Sequence, residues 1–174
     1  GKHADQVRKG SGKPFITHLN RVNEILVKLT DDEELIATGW LHDTVEDTDT
    51  TLMEIEEKFG RTVAHYVDLE SERKIEGDSS VTWYNRKREQ LERLSKVEDH
   101  TDVFIVTFAD KLANLMEMFS DWMVEGSGIW KHFNASKVDH KWYYQSFLNL
   151  ITEKVEIPEE FVKLYETIMN VIFV

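Results

Sequence analysis

The sequence predicts an all-α protein, on three observations. Two prolines and eight glycines in 174 residues leave long stretches without a helix breaker. Apolar residues recur three and four apart, as in Ile16, Leu19, Val22, Leu26 and Leu29, the spacing of one helix face. Capping residues stand where such runs begin, Asp31 or Asp32 in one case and Thr51 in another.

Taken in order, Pro14 is placed to open a helix over 15–29, because proline suits a first turn. His18, Val22, Ile25 and Leu29 form a row beside the main apolar stripe, which puts His18 at its edge. Asp31 or Asp32 caps a second helix, with Glu33 and Glu34 in the turn where the macrodipole favours acid. That helix leads to His42. Thr51 and Glu54 match a capping box, and the short helix they open stops at Gly60. A helix follows over 61 to about 71. Residues 71–82 read as a polar connector, and 83–94 as a helix with a charged face that includes Arg86, Lys87, Arg88 and Glu89.

The run from Val103 to Phe108 has strand propensity. The apolar pattern nevertheless continues through Ala109, Leu112, Ala113, Leu115 and Met116, and that length favours a buried helix. It also sets Asp110 and Asn114 four apart on one face. Gly126, Ser127 and Gly128 mark a turn. Trp142, Tyr143, Tyr144, Phe147, Leu148 and Ile151 read as a core helix. Pro158 opens a last one, with Phe161, Leu164, Tyr165, Ile168 and Met169 along its inner row. The expected organisation is one domain over 1–174, with its motif-bearing part at about 8–118 and helices over 130–174 completing the fold.

Charge and cysteine content narrow the function. A net charge of −12 argues against nucleic acid as a partner. Residues 1–13 nevertheless carry Lys2, Arg8, Lys9 and Lys13 against Asp5 alone. A small basic arm on an acidic body suits a compact anion; a solvated terminus is the plainer reading. Without cysteine there is no disulfide, zinc–thiolate site or thiol nucleophile. No membrane span or signal peptide is visible, so a cytoplasmic protein is expected. The chain begins at Gly1 and not Met, as expected of a processed or truncated N-terminus.

The chemistry concentrates in Leu41-His42-Asp43-Thr44-Val45-Glu46-Asp47-Thr48, at the end of an otherwise apolar helix. Ionisable groups are costly there without a partner, and a divalent cation is an economical one. His18, His42, Asp43 and Asp110 together form a mixed nitrogen and oxygen ligand set. Such a set suits Mn²⁺, Fe²⁺ or Co²⁺ with open positions better than a closed zinc site. If the helix continues past His42, Glu46 lies one turn on and can face the bound water, with Asp47 in the same relation to Asp43.

Three separated motifs carry a family resemblance: Arg8 to His18 (RKGSGKPFITH), Leu41 to Thr48 (LHDTVEDT) and Ala109 to Leu115 (ADKLANL), with Phe59-Gly60 between. In this order they resemble the hydrolase domain of the RelA/SpoT proteins, a branch of the HD phosphohydrolases, and above all its small metazoan form. The resemblance implies a helical HD bundle with a single metal site in its core. It implies Mn²⁺ held by His18, His42, Asp43 and Asp110, and hydrolysis of guanosine tetra- or pentaphosphate at the 3′-diphosphate. It places Glu46 and Asp47 on the catalytic acidic pair, and Arg8, Lys9 and Asn114 on substrate contacts. Trp83 falls near a nucleotide-contacting lysine of the metazoan form, for which Lys74, Arg86 or Lys87 are substitutes. The implied partner is a small-molecule nucleotide, with neither nucleic acid nor membrane involved; a homo-oligomer is an open alternative.

Two other functions fit the same residues: an HD hydrolase acting on another nucleotide, such as the phosphate of NADPH, or a non-catalytic nucleotide-sensing module. The intact Glu46-Asp47 pair argues against the sensor. His3, His65, His100, His132 and His140 match no ligand position and read as surface or core. Trp130, Trp142, Tyr143 and Tyr144 read as core or a subunit contact and not as a base-stacking platform.

Overall fold

The computed structural model describes residues 4–8, 12–73 and 76–174, without the side chains of Ser79 and Ser80. Its regular elements are α1 (Ile16–Leu29), α2 (Glu33–Leu41), α3 (Thr44–Asp47), α4 (Leu52–Phe59), α5 (Arg61–Glu70), α6 (Ser79–Ser95) and α7 (Val103–Glu125). A 3₁₀ helix (Gly126–His132), α8 (Lys137–Lys154) and α9 (Glu159–Ile172) complete them. An isolated antiparallel bridge pairs Val7 with Pro14 and folds Arg8 back toward α1.

The long central helix is α7, packed by α1, α2, α5, α8, α9 and the 3₁₀ helix. Phe104, Val106, Phe108, Ala109, Leu112, Ala113 and Leu115 are all fully buried. A helix covered on nearly every side loses its polar face, which is why 103–108 resembles a strand in sequence. Tyr165 of α9 stacks on Phe108 and donates to the Tyr144 carbonyl of α8, tying the C-terminal helices to the rod.

Capping residues start the helices as their chemistry dictates. Asp32 accepts from the Glu34 and Leu35 amides, and Thr51 with Glu54 and Ser136 with Asp139 form capping boxes. Gly60, at φ 91°, ends α4 and turns the chain into α5. α4 and α5 close a second, smaller core from Ile55, Val63, Ala64 and Val67.

Three expectations change in detail. Residues 71–82 are not wholly connector, because α6 begins at Ser79 and carries Trp83 into the core. Gly126 to Gly128 belong to the 3₁₀ helix and form no simple turn. His18 lies inside the stripe, fully buried, because α7 covers the flank that would otherwise meet solvent.

Helices α1 and α2 approach unusually closely at Gly39. A Cβ there would stand 2.3 Å from Leu26 Cδ1 and 3.0 Å from Asn23 Oδ1. The missing side chain lets α2 press against α1 and carry its C-terminal His42 toward His18.

Candidate metal centre and substrate pocket

Four helices supply the site: α1 gives His18, the end of α2 gives His42, α3 gives Glu46, and α7 gives Asp110, Asn114 and Glu117. Asp43 sits in the joint between α2 and α3. The chain does not leave the helical region there, since His42 and Asp43 both keep right-handed dihedrals.

His18, His42 and Asp110 each offer a ligand atom within 4.8 Å of the others. The Nε2 of His18 lies 3.0 Å from Asp110 Oδ1 and 4.0 Å from Asp43 Oδ2. The Nε2 of His42 lies 3.2 Å from Asp43 Oδ2 and 3.5 Å from Asp110 Oδ1.

The second nitrogen of each imidazole decides what the first can do. Nδ1 of His42 donates to the Gly39 carbonyl at 2.9 Å, and Nδ1 of His18 faces Glu117 Oε1 at 3.3 Å. With those protons so placed, both Nε2 atoms turn lone pairs toward carboxylate oxygens. Acceptors aimed at one another repel unless a cation stands between them. The buried Nε2 of His42 makes no hydrogen bond. An orphaned imidazole nitrogen, a second one braced by a carboxylate, and two converging carboxylates fit a divalent metal ion.

The same carboxylates also favour the charged imidazoles. Burial opposes the charged imidazole at His42, but Asp43 and Asp110 outweigh it and hold the group well above its ordinary pKa. The same balance raises His18 through Asp110 and Glu117. Burial would lift Asp110; the Lys111 ammonium and the two imidazoles overcome it and hold the carboxyl well below the usual range. Lys111 donates to Asp110 Oδ2 at 2.6 Å, which leaves Oδ1 for the ligand cluster.

Arg8 and Lys87 both line the pocket over these ligands. Arg8 donates to Asn114 Oδ1 at 2.5 Å and pairs with Glu117 at 2.7 Å. Asn114 in turn donates to Asp110 Oδ1 at 3.0 Å. Glu72 and Tyr143 line the pocket beside Lys87. Glu46 is buried enough to lift its carboxyl to about 7, although the Glu72 amide, which donates to it, works the other way. Glu70 is also raised to about 7 by burial and accepts from the Thr107 hydroxyl.

Asp47 is not brought to this pocket. It is exposed and lines an adjoining cavity with Gln6, Val7, Arg8, Phe15 and Phe133. Lys9, Lys74 and His3 lie outside the described residues. His140 is buried among Trp83, Trp130 and Phe133, while His65, His100 and His132 are exposed. Tyr143 is core and pocket wall at once.

Sequence reasoning missed Glu70, Glu72, Lys111 and Glu117 as parts of the site. Glu117 was within reach, because it lies seven residues after Asp110 and so shares its face of α7. Glu72 gave no comparable signal, because it lies outside any helix.

Comparison with known proteins agrees with this geometry. A family model described as "HD domain" matches residues 1–139. A guanosine-3′,5′-bis(diphosphate) 3′-pyrophosphohydrolase of Aquifex aeolicus is 30% identical over 94% of this chain and 26% of its own length. The protein of that name from Danio rerio is 39% identical over 67% of this chain and 63% of its own. The chain therefore spans about a quarter of the long bacterial relative and less than two thirds of the fish one. A crystal structure from Listeria monocytogenes superposes with a TM-score of 0.74 at 29% identity, covering 94% of this chain and all of that one. A metazoan SpoT orthologue, described as hydrolysing ppGpp, gives 0.72 at 25% identity over 97% of this chain and 88% of its own. The resemblance read from the motifs is borne out, and with it the all-helical bundle. The chain belongs to the HD-domain family.

Proposed function

We propose that the chain is a metal-dependent phosphohydrolase of guanosine 3′,5′-polyphosphates, releasing pyrophosphate from the 3′ position and leaving a guanosine 5′-di- or triphosphate. His18, His42, Asp43 and Asp110 would hold one divalent cation, Mn²⁺ by preference of the ligand set, with Fe²⁺ and Co²⁺ as alternatives. When bound, such an ion supplies Lewis acidity to the phosphoryl group and acidifies water.

The chain's own residues account for the remainder. Glu46 faces the pocket that holds the ligands and takes the proton of the attacking water. The water oxygen bonds to the phosphorus next to the ribose, and the 3′-oxygen leaves with the electron pair and is protonated. Arg8 presents a planar fork to phosphate. Asn114 serves by fixing Arg8 and Asp110 together. Lys9 extends the same basic arm. Asp47 lines the adjoining cavity with Arg8 and is therefore given no part in activating the water.

The observation that carries the reading is the His42 nitrogen, buried without a donor between two carboxylates, in the same pocket as Glu46. The named activities of the relatives support the substrate. The test is incubation of Mn²⁺-loaded protein with guanosine 3′,5′-polyphosphates and with NADPH, followed by separation of products. Pyrophosphate released from the guanosine compounds is the expected result. Orthophosphate from NADPH alone would point to a different nucleotide, and binding without turnover to a sensor.

A further inference from the structure

We propose that Arg86 and Lys87 form a second phosphate subsite, and that the Glu72 carboxylate occupies it until an anionic ligand displaces it. Identifying that ligand as a phosphate group of the nucleotide rests on the function proposed above.

The geometry is that of a held anion. Arg86 Nη1 and Lys87 Nζ each lie 2.5 Å from a different oxygen of the Glu72 carboxylate. Two cations on two oxygens of one planar anion is the arrangement in which proteins grip carboxylate or phosphate. The trio is sheltered but reachable, with side chains 11–20% exposed. Lys87 is fixed from behind, its ammonium 5.1 Å from the Tyr143 ring and 5.9 Å from Trp83. Glu72 and Lys87 both line the pocket that contains the candidate ligands. Arg8 lines the same pocket. A ligand with one phosphate group at the metal and another several bonds away can therefore reach a further cation besides Arg8.

Glu72 also has a second attachment. Its backbone amide donates to the Glu46 carboxylate. The residue that fills the subsite is thus the residue that holds the proposed base. Displacement of the side chain and the position of Glu46 are mechanically linked through one residue. A ligand able to compete for Arg86 and Lys87 releases Glu72 and frees Glu46 to turn toward water. Glu72 is a positioning residue in this scheme, and Arg86 and Lys87 are binding residues.

The test uses Mn²⁺-loaded protein and inorganic phosphate as probe, read by titration calorimetry, with KM for guanosine tetraphosphate measured in parallel. Glu72→Gln keeps the shape of the side chain and removes its charge. It should tighten phosphate about tenfold, the worth of one charge-assisted hydrogen bond. Lys87→Met or Arg86→Gln in the Glu72→Gln background should cancel that gain, and Lys87→Arg should keep it. Phosphate bound at the metal contributes equally to every variant and drops out of the comparison. Unchanged or weaker binding in Glu72→Gln overturns the subsite. So does a gain that survives loss of both cations. Should Glu72→Gln misfold by circular dichroism, Arg86→Gln alone decides, since it must weaken phosphate in the otherwise native chain. Hydrolysis of the tetraphosphate with KM and phosphate binding indifferent to Glu72 leaves the proposed function standing and removes the subsite. The predicted phosphate pattern without hydrolysis of any guanosine polyphosphate does the reverse.

Discussion

His42 shows how much one ring nitrogen can reveal. Its Nδ1 is committed to the Gly39 carbonyl, so its Nε2 has no donor and faces two carboxylates. His18 owes its equivalent orientation to Glu117, a carboxylate braced by Arg8. Outer partners of this kind set the tautomer and basicity of a ligand. Glu117→Gln should therefore lower Mn²⁺ affinity roughly 10–100-fold, and Asp110→Asn should lower it further, both measured by metal titration with folding checked by circular dichroism. Glu46 should behave differently. Glu46→Gln should keep metal affinity and lose about 10²–10⁴ in kcat. Burial lifts this carboxyl to about 7, and a bound cation pulls it down. The base is active when ionised, so kcat/KM of the Mn²⁺-loaded wild type should fall on the acid side with a midpoint below 7. That acid limb should vanish in Glu46→Gln.

At the scale of elements, the joint between α1 and α2 positions the site. Gly39 allows contact with Leu26 and Asn23, and its carbonyl holds His42. Gly39→Ala should cost about 1–3 kcal/mol, as overpacking of a tight core does. It should also weaken metal binding, because the helices must separate by the width of the new methyl. Thermal melts with and without Mn²⁺ measure both effects. The same elements explain what the sequence revealed and what it hid. That His18, His42 and Asp110 converge, with Asp43 beside them, was legible because ionisable residues are rare inside apolar helices and because the three motifs come in family order. Asn114 was legible from its four-residue step along α7. Lys87 was named only together with Lys74 and Arg86, because nothing local sets it apart among four consecutive charged residues on α6. The side of α6 that turns inward depends on how it packs against α8, a contact between segments separated by the whole of α7 that no local pattern encodes. The extent of α6 was missed for a related reason. Its first turn, Ser79 to Thr82, has poor helix propensity, and the tertiary packing of Trp83 in the core holds it in place.

For the whole molecule, the C-terminal third serves as the wall behind the pocket. Trp130, Phe133, His140, Tyr144 and Phe173 pack into one aromatic mass that backs Trp83 and, through it, Lys87. His140 lies in it with neither ring nitrogen hydrogen-bonded. Burial, assisted by the Lys87 charge, depresses its pKa to about 4. The unfolded chain therefore binds a proton at this residue from about pH 6.5 downward, whereas the folded chain does not until about 4. Stability is complete above that window and is lost as the pH falls through it. His140→Phe should flatten this part of the acid denaturation curve, removing up to about 3 kcal/mol of pH dependence. Denaturant melts between pH 4 and 7 would measure it.

Because α7 presents Asp110, Asn114 and Glu117 from one unbroken rod, their mutual register is rigid. Adding or deleting one residue between Val103 and Asp110 would swing all three by about 100° and aim them into the bundle. Variation in chain length is thereby steered to the segments before and after the rod, and the pocket residues outside α7 remain open to remodelling for a different ligand.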